Sequence, residues 1–208
     1  MAGCQSYQWA PQYPAMVKAI LPFCASSKTS IHNHVFLEGV KAALIADKKW
    51  NNGNYKKQPI EGLKAFGRVY AGWAFSQDFF REELFKKLGF KTVEELLQDW
   101  ESDHVKNWDA NNLLAKLKTW QIADISSGPI YNNDFQKALK SIKARTILMP
   151  CNQDLYFRSN DNEFESKYIR HSILKPIDSP FGHCAANPGN DKNFEVRLDK
   201  NISELLNE

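Results

Sequence analysis

Apolar positions recur along this chain in two rhythms, and the changes of rhythm mark its organisation. Near both ends, short aliphatic runs are cut off by a proline or a polar loop. Residues 17–21 form one such run, stopped by Pro22. Residues 146–149 form a second, stopped by Pro150, and residues 172–177 a third. Runs of this length predict buried strands, and proline ends them because it has no N–H for the ladder. Helix-period segments separate or flank them at residues 134–144, 163–170 and 194–206. The first ten residues, MAGCQSYQWA, predict a helix that is broken between Pro11 and Pro14.

From His32 to about Asp124 the rhythm is helical throughout. Phe36, Val40 and Leu44 share one face, and Leu63, Phe66, Tyr70 and Trp73 share another. Asn51-Asn-Gly-Asn54 predicts a turn, and Thr92-Val-Glu-Glu95 is a capping-box pattern that starts a new helix. The chain therefore divides into residues 1–30, a helical insertion over 31–126, and a carboxyl-terminal α/β segment over 127–208. Strands separated by helices predict a parallel sheet with right-handed crossovers, so the expected class is α/β with about three parallel strands.

Composition narrows the function classes. A net charge of +3 over 208 residues, spread along the chain, gives no reason to expect nucleic acid or an anionic membrane as partner. No apolar run approaches the ~20 residues of a membrane span. No charged region followed by an apolar one suggests a signal peptide. Cys4, Cys24, Cys151 and Cys184 show no paired spacing and read as reduced thiols, so a cytoplasmic location is expected.

The chemistry-bearing residues lie just past two of the predicted strands. Asp154 follows the run at 146–149, and His183 follows the run at 172–177 through Ser179-Pro-Phe-Gly. The carboxyl ends of strands in open α/β sheets are where sites are built. An acid and then a histidine is the second half of a Ser…Asp…His chain order. An aspartate after a strand is more commonly a turn or helix cap, so position alone does not assign it a role.

MAGCQSYQWA, YPAMV, TSIHNHVFLEGVKAAL, GLKAFGRVYAGWAFSQ, DANNLLAKLKTWQ and DLYF…GHCAANPG together resemble the homoserine O-acetyltransferase-like branch of the α/β-hydrolase superfamily. The resemblance runs over essentially the whole chain but matches only the carboxyl-terminal part of that family's domain, a partial α/β-hydrolase fold. It implies that Asp154 and His183 are the triad's acid and histidine. In the family a G-x-S-M-G-G elbow carries the nucleophile. Met1 matches the methionine after that serine, and Ala2 and Gly3 match the two glycines. The resemblance thus implies that the nucleophile is absent, one residue ahead of Met1, and that the chain alone is inactive. Cys4 and Ser6 are poor substitutes, because a residue inside the following helix points away from the elbow.

The resemblance further implies serine acyltransferase or esterase chemistry on a small ester or alcohol, no bound cofactor or metal, and an acyl-CoA as co-substrate in some members. The helical insertion matches a lid over the active-site tunnel, and in related enzymes this lid takes part in dimer contacts. Arg68 falls one residue from where the family places a substrate-contacting arginine. A separately encoded amino-terminal half would be a natural partner, pairing with the strand at residues 17–21, which otherwise becomes an apolar edge. The alternative to an enzyme fragment is a non-catalytic binding module that uses this edge for strand addition.

Two further patterns have plain readings. His32-Asn-His34 has metal-pair spacing for a strand, but no third ligand is near, so these read as solvated histidines. The tryptophans and Phe79-Phe80 fall at helical spacing and read as core or lid packing rather than a base-stacking platform.

Overall fold

The computed structural model describes residues 2–207. In chain order the elements are α1 (Ala2–Gln12), β1 (Ala19–Ile20), α2 (Ile31–Ile45), α3 (Ile60–Ala74), α4 (Gln77–Arg81), α5 (Val93–Asn107), α6 (Ala110–Gln121), α7 (Phe135–Lys140), β2 (Arg145–Leu148), α8 (Ser159–Ser166), β3 (Ser172–Leu174) and α9 (Lys192–Asn207). Short 3₁₀ turns lie at Lys48–Gly53, Leu84–Lys86 and Gly182–Ala186. The chain divides into two compact units, Met1–Lys28 with Ala123–Glu208, and Thr29–Ile122.

The first unit is built on a parallel sheet in the order β1-β2-β3, the α/β class the chain pattern predicts. Ile20 sits opposite Thr146, and Ile147 opposite Ile173. The regular strands are shorter than the apolar runs. Pro22, Pro150 and Pro176 supply no N–H, so the ladder is interrupted there. Pairing then resumes beyond each proline: Phe23 bridges Met149 and Cys151 bridges Ile177. The prolines still accept: the Met149 amide donates to the Pro22 carbonyl at 3.1 Å, and the Ile177 amide to the Pro150 carbonyl at 2.9 Å. The core joins α1, α7 and the strands through Tyr7, Ala10, Ile20, Leu139, Ile142 and Leu148.

α1 ends at Gln12, within the Pro11–Pro14 stretch where the sequence predicts the break. One helix departs from its expected limits. α8 spans Ser159–Ser166 rather than 163–170. The reason is that α8 buries polar residues, Asn162 and Glu165, so apolar spacing misplaces it.

The second unit is helical, as its 3.6-residue periodicity predicts. Ser30 caps α2 by accepting from the Asn33 amide at 3.1 Å, and Thr92 caps α5 by accepting from the Glu95 amide at 3.2 Å. The Glu95 carboxylate reaches back to the Lys91 amide at 2.6 Å, one residue before the usual capping-box partner. Asn51 and Asn52 take left-handed angles, φ +47 and +52, where the sequence predicts a turn.

Glycine sets the close helix crossing. A Cβ on Gly62 in α3 would lie 2.3 Å from the Leu44 carbonyl oxygen of α2, so only glycine fits. α3 meets α5 through an aromatic cluster. Phe66 stacks on Tyr70 at 5.5 Å, with Trp100 and His104 against them. Burial holds the His104 imidazole below its usual pKa, with Nδ1 2.7 Å from the Trp100 carbonyl. His32 and His34 are exposed on α2; two positions apart on a helix, they project in different directions. Among the described residues no helix is long and apolar enough to cross a membrane.

Candidate active site

The site is assembled where the parallel strands end. β2 delivers the chain, through the bridge at Cys151, to a loop that carries Asp154, fully buried, three residues beyond that bridge. Its Oδ1 accepts from the Tyr156 amide at 2.7 Å and the Phe157 amide at 3.2 Å. Its Oδ2 lies 2.8 Å from His183 Nδ1. The aspartate is thus held by its own loop and by the imidazole together. With Nδ1–H assigned to the carboxylate by this contact, Nε2 is the nitrogen free to take a proton. The His183 side chain keeps 29% of its surface exposed while that of Asp154 keeps none. Tyr156 packs edge-on to the imidazole at 4.9 Å, and Phe157 tilts against it at 5.6 Å.

His183 sits in the 3₁₀ turn Gly182–Ala186. Gly182 has φ +62, a left-handed angle that glycine adopts without strain just before the histidine. Side chains of the acid loop hold the histidine loop. The Ser179 amide donates to Gln153 Oε1 at 2.8 Å, and Asn152 Nδ2 donates to Asp178 Oδ1 at 2.9 Å. The Ser179 hydroxyl donates to Asp191, whose other oxygen accepts from the Asn193 and Phe194 amides at the start of α9.

A second buried network fixes the segment after β1. The Glu165 carboxylate of α8 accepts from Tyr7 of α1 at 2.5 Å, from the Ser27 amide and hydroxyl at 2.7 Å each, and from Asn162 at 2.7 Å. Burial raises the Glu165 pKa above the usual carboxylate value despite these four donors. The residue thereby ties α1, the loop after β1 and α8 together. Gly3 lets α1 start against this loop, since a Cβ there would lie 2.4 Å from the Ala25 Cβ.

That loop carries a residue that no motif or spacing in the sequence singles out. Cys24 has φ +44 and is buried, and its thiol, a carboxylate oxygen of Asp154 and a ring nitrogen of His183 all lie within 4.8 Å of one another. Burial, then the Asp154 and Cys151 charges, hold its pKa well above that of an ordinary thiol. Cys151 and Cys184 are buried close by and are pushed up to about 11 and about 12, chiefly by burial. The available signal was positional: residues that follow the ends of neighbouring parallel strands gather at one edge of a sheet.

The other candidates lie elsewhere. Arg68 Nη1 donates to Glu94 at 3.0 Å, and its Nε pairs with Glu101, so its guanidinium is engaged between α3 and α5. The Ser6 hydroxyl donates to the Gly3 carbonyl at 2.7 Å, within its own helix. Burial raises the Cys4 thiol. The position ahead of Met1 to which the resemblance assigns the nucleophile lies outside the described residues.

No protein-family model matches the chain. Among curated relatives, an ethyl acetate hydrolase from Pseudomonas veronii is 31% identical over 208 residues, covering 99% of this chain and 59% of that enzyme. Among solved structures, the acetyl esterase MekB superposes with a TM-score of 0.94 at 30% identity, over 99% of this chain and 59% of its own. A homoserine O-acetyltransferase from Bacillus anthracis superposes with a TM-score of 0.83 at 25% identity, over 57% of its length. The sheet order, the Asp154 and His183 loops and these matches agree: the chain belongs to the acetyl-esterase and homoserine O-acetyltransferase-like branch of the α/β-hydrolases, and it spans about three-fifths of the length of these relatives.

Proposed function

We propose that this chain supplies the acid and the base of an acyl-enzyme mechanism that hydrolyses small acetyl esters. The nucleophile in this reading is the serine that the family resemblance places ahead of Met1, in the part of the relatives that the chain does not span. The observation that carries the reading is the 2.8 Å contact between His183 Nδ1 and a fully buried Asp154 whose other oxygen is held by two backbone amides.

In the proposed cycle the serine hydroxyl attacks the ester carbonyl while its proton passes to His183 Nε2. Asp154 holds the ring in the tautomer that leaves Nε2 basic and stabilises the imidazolium that forms. The imidazolium returns the proton to the departing alkoxide. Water then attacks the acyl-serine, giving its proton to Nε2, and acetate leaves as the serine is reprotonated. An alcohol in place of water would make the same site a transferase. Hydrolysis is favoured here because the 31% and 30% identical relatives are an ethyl acetate hydrolase and an acetyl esterase, against 25% for the acetyltransferase.

The test is turnover of p-nitrophenyl acetate by the 208-residue chain alone and after co-production with an upstream segment that contains a G-x-S elbow. The chain alone is expected to be inactive. The combined protein is expected to turn over, and His183→Ala to abolish that activity. Turnover by the chain alone that depends on His183 would overturn the assignment of the nucleophile.

A second reading draws on β1, which pairs with β2 on one side and ends the sheet among the described residues. Such an edge can accept a strand from another chain. In that reading the segment binds a complementing half without doing chemistry of its own, and a soluble monomer that captures no upstream segment would count against it.

A further inference from the structure

We propose that Cys24, Asp154 and His183 form a binding site for one thiophilic divalent cation, of which Zn²⁺ is the best fit. The thiol sulfur, a carboxylate oxygen and an imidazole nitrogen lie within 4.8 Å of one another. Zn²⁺ bound to sulfur at about 2.3 Å and to nitrogen at about 2.0 Å would draw such atoms to roughly 3.5 Å apart. Closing the site therefore draws the sulfur in by about 1.3 Å at most and parts Asp154 Oδ2 from His183 Nδ1, which stand 2.8 Å apart, by about half an ångström. The donor set of one thiolate, one imidazole and one carboxylate suits Zn²⁺, and Mg²⁺ or Ca²⁺ would require oxygen alone. Three protein ligands leave a fourth position for water.

Charge and access support the same assignment. A divalent cation with one thiolate and one carboxylate is neutral overall, which makes burial tolerable where a lone ion would be costly. Cys24 and Asp154 are buried, while the partly exposed His183 ring gives the ion a way in. Cys24 is held in a left-handed conformation between the Phe23 bridge to Met149 and the Ser27 contact to Glu165. The backbone contacts therefore fix the direction in which the Cys24 side chain leaves the chain. The proton balance is explicit: the carboxylate binds as the anion, the thiol releases one proton to solvent, and the ring proton moves from Nδ1 to Nε2 so that Nδ1 binds as part of a neutral imidazole.

Binding in this way takes the carboxylate and Nδ1 out of the hydrogen bond that orients the ring. The inhibition that follows rests on the hydrolytic reading above, whereas the binding itself does not.

The purified chain is titrated with Co²⁺ while thiolate-to-metal charge-transfer absorption is followed, and Zn²⁺ affinity is measured by competition with a chromophoric chelator. One equivalent with a charge-transfer band is expected. Cys24→Ser and Cys24→Gly should abolish the band and weaken Zn²⁺ at least about tenfold. Glycine suits the left-handed backbone, so that variant retains the fold, as circular dichroism will report. His183→Ala should also weaken Zn²⁺. A native protein with no band overturns the proposal. So does a band that survives in Cys24→Gly, or one lost only in Cys4→Ser, Cys151→Ser or Cys184→Ser. Full Zn²⁺ occupancy that leaves the ester turnover of the combined protein unchanged overturns the inhibitory consequence alone.

Discussion

Gln153 receives the Ser179 amide on its side-chain oxygen at 2.8 Å, and through that bond the loop bearing the acid sets the position of the loop bearing the histidine. Ser179 is fully buried, so its N–H has no water to turn to. Gln153→Ala should cost about 1–3 kcal/mol of stability, the penalty of a buried donor left without an acceptor. Urea unfolding measures this. Gln153→Glu, which retains an acceptor, should recover most of the loss.

Asp154→Asn preserves shape but turns an acceptor-only group into one that can also donate. The imidazole is then free to adopt the tautomer with its proton on Nε2, where it cannot accept one from a nucleophile. In the combined protein, turnover of p-nitrophenyl acetate should fall about 10⁴-fold, with KM little changed. A loss below tenfold would mean that Asp154 is only a structural support of the histidine loop.

The Glu165 network makes a prediction about pH. Its folded pKa is raised by burial, so the folded state holds the proton more tightly than the unfolded chain does. The stability that follows is complete below the unfolded value of about 4.3 and is lost as pH rises through the folded value. Glu165→Gln cannot titrate, so the advantage of the native protein over this variant should shrink as pH rises across that window. Urea unfolding at several pH values tests the sign. Tyr7→Phe removes one of the four donors and should cost about 1–3 kcal/mol at neutral pH.

Gly62→Ala tests the helical unit separately. The added Cβ would meet backbone, the Leu44 carbonyl at 2.3 Å, which cannot rotate away. Overpacking of this kind costs about 1–3 kcal/mol, and here it should lower the unfolding midpoint clearly. Gly39→Ala is the control, since a Cβ there would meet nothing within 4 Å.

Asp154 and His183 could be found in the sequence because each follows an aliphatic run by a short polar loop, and parallel strands bring such loops to one edge. The limits of the strands were less legible. Prolines 22, 150 and 176 interrupt regular pairing, yet bridges at Phe23 and Cys151 continue it, and no local pattern announces that resumption. Asn162 and Glu165 face inward from α8, so apolar spacing sets that helix too late in the chain. Cys24 reads in the sequence as one more reduced thiol because its partners are more than a hundred residues away. What brings them together is the strand register, and cysteine spacing does not report it.

Asp191 binds the Ser179 hydroxyl with one oxygen and caps the first turn of α9 with the other. Fraying of that terminal helix is therefore transmitted to the residues just ahead of the imidazole. A substitution at Asp191, although that residue does not touch the imidazole, therefore acts on where the His183 ring is held.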